Sequence, residues 1–323
     1  MSALLVLLFL QDGNLVQNPG FEEGQKDPAH WDRCDGLTTF WEKDPLRPGK
    51  CIRVFSRVHI DDYHRRLEEM KVENPPPPAK PREIKGKGYD TVGGLDGVGY
   101  WSDWIDVKAG MRYTLHADVR SEGGKPKIFV KGYSEIPAEI GDPGKPRKTL
   151  LKRVTFKVYL DCAGGSKWKS STLSFCPTHD REDVKWMRVM LYGYWPAQNY
   201  WFDNIKIAEA GTDPEAPKRW AALKEKVQQE KTQAQEATTR EVKYVLAYVR
   251  KGVERYKSDL GSYPPTLEAL LVDPGDPKWC GPYVLQLAED PWGNPYRYRR
   301  TESGFTLQSY GPDGAEGGDD DME

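Results

Sequence analysis

The chain has 323 residues, enough for two domains. It is 30% charged, 38% hydrophobic and 11% aromatic, a globular composition with a heavy load of Trp. A net charge of −2 leaves no basic field, which excludes nucleic acid as a partner held by bulk charge.

The first residues, "MSALLVLLFLQDG", carry an apolar run from Ala3 to Leu10. The run is too short to span a bilayer but has the length of the apolar part of a signal peptide. Residues 1–11 are therefore read as an export signal, although the usual basic segment is missing. An apolar first strand is the alternative. From Asn14 to about Ala210 the text is β-like. "WSDWIDVKAGMRYTLHADVRS" alternates apolar and polar residues around a turn at Lys108-Ala109-Gly110. "KPKIFVKGYSEI", "LKRVTFKVYLD", "SKWKSSTLSF", "VKWMRVMLYGYW" and "NYWFDNIKIAEA" each read as a strand of period two. Many short strands separated by turn residues predict an antiparallel sandwich or jelly roll over residues 12–210. "ENPPPPAKPREIKGKG" and "PAEIGDPGKPRK" are read as exposed loops.

At Asp213-Pro214-Glu215 the pattern changes to a helix start, with an N-cap followed by Pro in the first turn. "EKTQAQEATTRE" is polar all round, so residues 211–234 read as a polar helical linker. Val242, Val245, Leu246, Val249, Val253 and Tyr256 then recur at amphipathic-helix spacing, and Gly261 marks the stop. Residues 213–258 form one long helix or two in series. A short helix at "YPPTLEALL" follows, then a small antiparallel sheet from "DPWGNPYRYRR" and "GFTLQSYG". The overall expectation is a multidomain chain: an all-β jelly-roll sandwich, a long helix and a small α+β domain.

Chemistry-bearing patterns are few. No nucleophile elbow, HExxH or phosphate loop occurs, and "DTVGGLDGVG" has no following helix. "HIDDYHRRLEE" could hide a carboxylate pair, but a charged exposed segment is the simpler reading. No enzyme is expected. Cys34 with Cys51, and Cys162 with Cys176, could each close a short loop and leave Cys280 over; buried free thiols are the alternative. Cys176-Pro-Thr-His179 lacks the second half of a zinc site.

The C-terminal order is specific: "RYKSDLGSYPPTLEALL", "WCGPYV", "DPWGNPY", then "SYGPDGAEGGDDD". Residues 235–323 closely resemble the globular part of the major, G-type pseudopilin of type II secretion systems. In that family the terminal acidic loop binds calcium. The resemblance puts metal ligands at Asp313, at two of Asp319, Asp320 and Asp321, and at the carbonyl of Tyr310. Asp carboxylates and turn carbonyls separated by Gly suit that hard cation. Other pseudopilins or secretion-system components are the implied partners, in a periplasmic or secreted setting. Family members also begin with an apolar anchor helix. Here "KRWAALKEKVQQEKTQAQE" is far too polar for a membrane-spanning helix, so standard polymerisation is not expected.

"NLVQNPGFEEG" and "YWFDNIKIAEA" resemble the first and last strands of jelly-roll carbohydrate-binding modules over residues 13–209. That resemblance implies a structural calcium between Glu22 and Asp203. It also implies a glycan on exposed aromatics, with Tyr100, Trp101, Trp104, Trp168, Tyr194 and Trp195 as candidates; Tyr200 to Phe202 are assigned to the core.

Overall fold

The computed structural model describes residues 13–141, 145 and 147–323. The apolar run from Ala3 to Leu10 lies outside the described residues. Two compact units divide between Ala221 and Ala222.

The first unit runs β1 (Thr39–Lys43), β2 (Lys50–Phe55), α1 (Ile60–Glu69), α2 (Val92–Leu95), β3 (Val98–Trp101), β4 (Ile105–Asp106) and β5 (Met111–Ser121). It continues with β6 (Lys127–Ile140), β7 (Arg147–Asp161), β8 (Lys169–Phe175), β9 (Trp186–Gly193) and β10 (Asn199–Thr212). One antiparallel sheet has the order β1-β2-β10-β5-β8, and the other β3-β9-β6-β7 with β4 beside β9. Their inner faces share one core, to which Ile52, Leu115, Ile128, Val189 and Ile207 contribute fully buried side chains. This is the expected sandwich, and its strands alternate in burial as period two requires.

The ends of the unit pair with each other. Asn14 bridges Ala208, and the Leu15 amide donates to the Ile207 carbonyl at 2.8 Å. The "NPGF" stretch explains why. Asn18 takes a left-handed φ of 48° and its side-chain amide donates to the carbonyls of Glu23 and Ala29. That staple turns the chain so that Phe21 plugs the core at 0% exposure.

Several expectations need correction. β1 and β2 were not legible in the alternation. The second expected loop is partly strand, because β6 runs on to Ile140 and β7 begins at Arg147. The charged segment "HIDDYHRRLEE" is helix α1, whose Asp62 and Arg66 are buried. Asp62 accepts from the Arg82 amide at 2.7 Å, and Arg66 donates to the carbonyls of Asp35 and Pro76. These bonds, with Arg33 donating to three carbonyls from Met70 to Glu73, tie the Pro-rich excursion down. All five cysteines are free thiols. Burial pushes Cys34, Cys51 and Cys162 up to about 12, so they behave as small apolar side chains.

The helix α3 (Ala216–Leu260) is continuous over 45 residues. It starts three residues after Asp213, whose carboxylate accepts from the Glu215 amide and the Arg219 guanidinium. Gly261 ends it at φ 78°. In the second unit Val242, Leu246, Val249, Val253 and Tyr256 form the buried face of this helix. Leu267 and Leu270, from a single 3-10 turn, close on it together with Val284 and Leu307. A two-stranded sheet of β11 (Arg297–Arg300) and β12 (Phe305–Gln308) completes the α+β domain.

Candidate functional site

The acidic loop is built from one buried carboxylate outward. Asp290, the first residue of "DPWGNP", is 4% exposed. Its Oδ1 accepts from the amides of Trp292 at 3.1 Å and Asn294 at 2.8 Å, while its Oδ2 accepts from the Ser309 hydroxyl at 2.7 Å. Asn294 in turn donates to the Gly311 carbonyl at 2.9 Å. So the stiff turn grips the start of the tail. The far end is held by Ser309 and Met322, which exchange two backbone hydrogen bonds of 2.9 Å each. Between these clamps the chain must reverse, and Gly311, Gly314 and Gly317 supply the left-handed conformations.

This wrapping gathers the carboxylates. Asp313 Oδ2 and Asp320 Oδ1 both lie within 4 Å of the point a Cβ on Gly318 would occupy. Asp321 Oδ2 accepts from the Gly317 amide at 2.8 Å, while its Oδ1 is buried with no hydrogen-bond partner. Asp320 and Asp321 are half-buried and Asp319 is exposed, so the loop itself separates the three adjacent Asp. Tyr310 opens the loop with its ring under Arg297. Residues 311–323 hold six acidic and no basic side chains. Among the described residues the one ion pair reaching them is Arg299 to Glu316 at 3.7 Å. Asp313 Oδ2 and Asp320 Oδ1, neither held by an ion pair, have the chemistry of ligands to a hard cation, as has the orphaned Asp321 Oδ1. No group of three or more His, Cys, Asp or Glu is close enough to hold a metal among the described residues, so carbonyls would have to complete any shell. Trp292, within the stiff turn, is exposed.

In the sandwich, Asp203 Oδ1 and Glu22 Cγ each lie within 4 Å of where a Cβ on Gly20 would be, while the Glu22 carboxylate lies by Gly49. The positive charge there belongs to the protein, however. Arg47 reaches Asp118 at 2.5 Å and Asp203 at 3.2 Å, and Asn204 also donates to Asp118. Burial, with help from Asp118 and Glu22, pushes the Asp203 carboxyl up to about 6 despite Arg47. Glu22 is used by the Lys50 amide at 2.9 Å. With a guanidinium seated between Asp118 and Asp203, this group does not fit a metal.

The candidate glycan residues scatter. Tyr100 points inward, 1% exposed, and donates to the Asp32 carbonyl; it is a core residue, because β3 alternates and Tyr100 takes the inner position. Trp168 donates to Asp44 with Arg47 over its ring and so belongs to the ion network. Tyr194 and Trp195 are exposed beyond the end of β9, stacked on Tyr192 and Tyr89 respectively. Tyr200, Trp201 and Phe202 are buried as expected. Trp101 and Trp104 lie on the outer face of the β3-β9-β6-β7 sheet. There the register lines up Trp101, Met190, Phe129 and Tyr159 in one cross-strand row. Sequence reasoning missed Asp290, Arg47 and the outward basic residues of this sheet. Of these only Asp290 had a local signal, since Asp before Pro commonly opens a side-chain-capped turn.

A long amphipathic helix packed on a small sheet and closed by an acidic loop defines a pilin-like α+β domain in the second unit. Residues 228–323 match the family model of Type II secretion system (T2SS), protein G. The Type II secretion system core protein G of Pseudomonas aeruginosa is 43% identical over 82 residues, which is 22% of this chain. The chain spans 58% of the length of that relative. For the sandwich, similar solved structures include a family 16 carbohydrate-binding module. It is 11% identical with a TM-score of 0.32, covering 61% of this chain and 100% of that one. An α-L-arabinofuranosidase is 14% identical with a TM-score of 0.32, covering 61% and 26%. These last likenesses are too distant to carry an argument about ligands.

Proposed function

We propose that the chain is a non-catalytic extracytoplasmic protein whose C-terminal domain docks with pseudopilins or other components of a type II secretion assembly. The observation that carries this reading is the match over residues 228–323, together with the turn-clamped acidic loop. In this reading calcium occupies the loop, with Asp313 and Asp320 supplying carboxylates and turn carbonyls such as that of Tyr310 completing the shell. Among the described residues no helix is long and apolar enough to cross a membrane.

The test has two arms. Thermal unfolding of the full chain is followed with calcium and with chelator. A metal that binds only the folded state stabilises by about 2.7 kcal/mol at a hundredfold excess over Kd. Asp313→Ala with Asp320→Ala should abolish the shift, whereas Glu22→Gln should leave it. Purified major and minor pseudopilins are then immobilised and the chain is passed over them. No calcium shift removes the metal, and no retention on any pseudopilin removes the docking role. A second reading is glycan binding by the sandwich, favoured by the aromatic row outside the β3-β9-β6-β7 sheet.

A further inference from the structure

The outer sheet face carries a charge pattern that the fold does not need. β6 lies between β9 and β7, and the registers set Lys131 directly opposite both Arg188 and Lys157. Three cations therefore stand in one row across three neighbouring strands, with strands about 4.8 Å apart. Like charges directly opposite destabilise a sheet. Arg188 is met by Asp32 at 3.1 Å, but among the described residues no carboxylate pairs with Lys131 or Lys157. Burial, and then the charge of Lys157, hold the Lys131 ammonium below its usual range. A fourth cation, Lys152, lies over Trp104 at 4.6 Å. The row is flanked by exposed rings, with Trp104 46% and Tyr159 45% accessible.

We propose that this face binds an anionic polysaccharide, its carboxylate or sulfate groups on the Arg188–Lys131–Lys157 row and its sugar rings against Trp104 and Tyr159. The proposal rests on the glycan reading above and adds the chemical class of the ligand. An anion on the row removes the cross-strand repulsion that folding alone leaves in place. The extent of the row favours a carbohydrate over single-stranded nucleic acid. The row is bracketed by carboxylates, Asp161 paired with Lys127 at 3.0 Å and Glu135 paired with Lys185 at 2.6 Å. These pairs leave a short cationic row rather than the continuous basic groove that tracks a nucleic-acid backbone.

Affinity electrophoresis of the full chain tests this, in chelator so that calcium cannot bridge the acidic loop to the polymer. The gels contain polygalacturonate, dextran sulfate, neutral xylan, or no polymer, and oligo(dT) is titrated separately. Retardation by the two acidic polymers and not by xylan is expected, weakening as salt is raised. Lys131→Gln with Lys157→Gln should weaken it about tenfold, as should Trp104→Ala. The lysine pair should change the unfolding temperature little, because it removes a repulsion while giving up the contact of Lys131 Nζ with the Trp101 ring, 4.8 Å from its centroid. Equal retardation by xylan, unaffected by the lysine variant, overturns the anionic class and leaves glycan binding standing. No retardation by any polymer overturns both. Tighter binding of oligo(dT) than of either acidic polymer also overturns both.

Discussion

Replacing Asp290 by Ala should loosen the acidic loop without touching any proposed metal ligand. Three donors lose their acceptor: the amides of Trp292 and Asn294 and the hydroxyl of Ser309. Trp292 is exposed, so water can satisfy its amide. Asn294 is half-buried and Ser309 fully buried, so theirs are the costly losses. An unsatisfied buried donor costs about 1–3 kcal/mol, which gives about 2–6 kcal/mol for the pair. A two-unit chain is a poor subject for one global unfolding energy, so the readout should be local. Hydrogen exchange over residues 285–323 serves. At about 1.4 kcal/mol per decade, the lower figure predicts roughly thirtyfold faster exchange at Asn294 and Met322. Exchange in the sandwich should stay unchanged. Asp290→Asn keeps a carbonyl oxygen for the two amides, and Ser309 can turn to accept, so it should lose less than half as much. Unchanged exchange in Asp290→Ala would refute the view that this carboxylate clamps the turn to the tail.

Three further outcomes follow from the same geometry. Asp203 has a folded pKa near 6, above the ordinary carboxylate value of about 4, so the native state holds the extra proton between those values. Its contribution to stability is therefore present below about pH 4 and lost as pH rises through 6. Melting temperatures of wild type and Asp203→Asn should converge at the acid end, with the variant gaining on the wild type towards pH 7. Gly311→Ala places a Cβ 2.5 Å from Asp320 Oδ2 on a backbone with φ 66°, and should speed exchange in the tail and blunt any calcium-induced shift. Thiol titration should count five free cysteines in denaturant, and the native protein should react fastest at exposed Cys280. Fewer than five would restore a disulfide.

Local pattern by itself determined most elements of this protein. Period-two alternation and turn residues are properties of a few neighbours, so β5 to β10 could be read directly. The same holds for the helix face from Val242 to Tyr256, and for the turn residues of "DPWGNP" before a glycine-spaced acidic tail; the grip of one on the other is a contact 17 to 19 residues apart. β1 and β2 escaped because "TTFWEKDPLRPGKCIRVF" mixes charge into both faces; only the neighbouring β10 makes them strands. Tertiary structure alone decided which aromatics face water. An offset of one residue along β3 sends Tyr100 into the core and Trp101 outward. It also decided the partners of distant charges. Arg47 lies 71 residues before Asp118 and 156 before Asp203, so no local spacing could announce that a guanidinium stands between them. The cationic row likewise exists only once register sets Lys131 between Arg188 and Lys157. Side-chain period is local, whereas register and charge pairing depend on which strands the chain brings side by side.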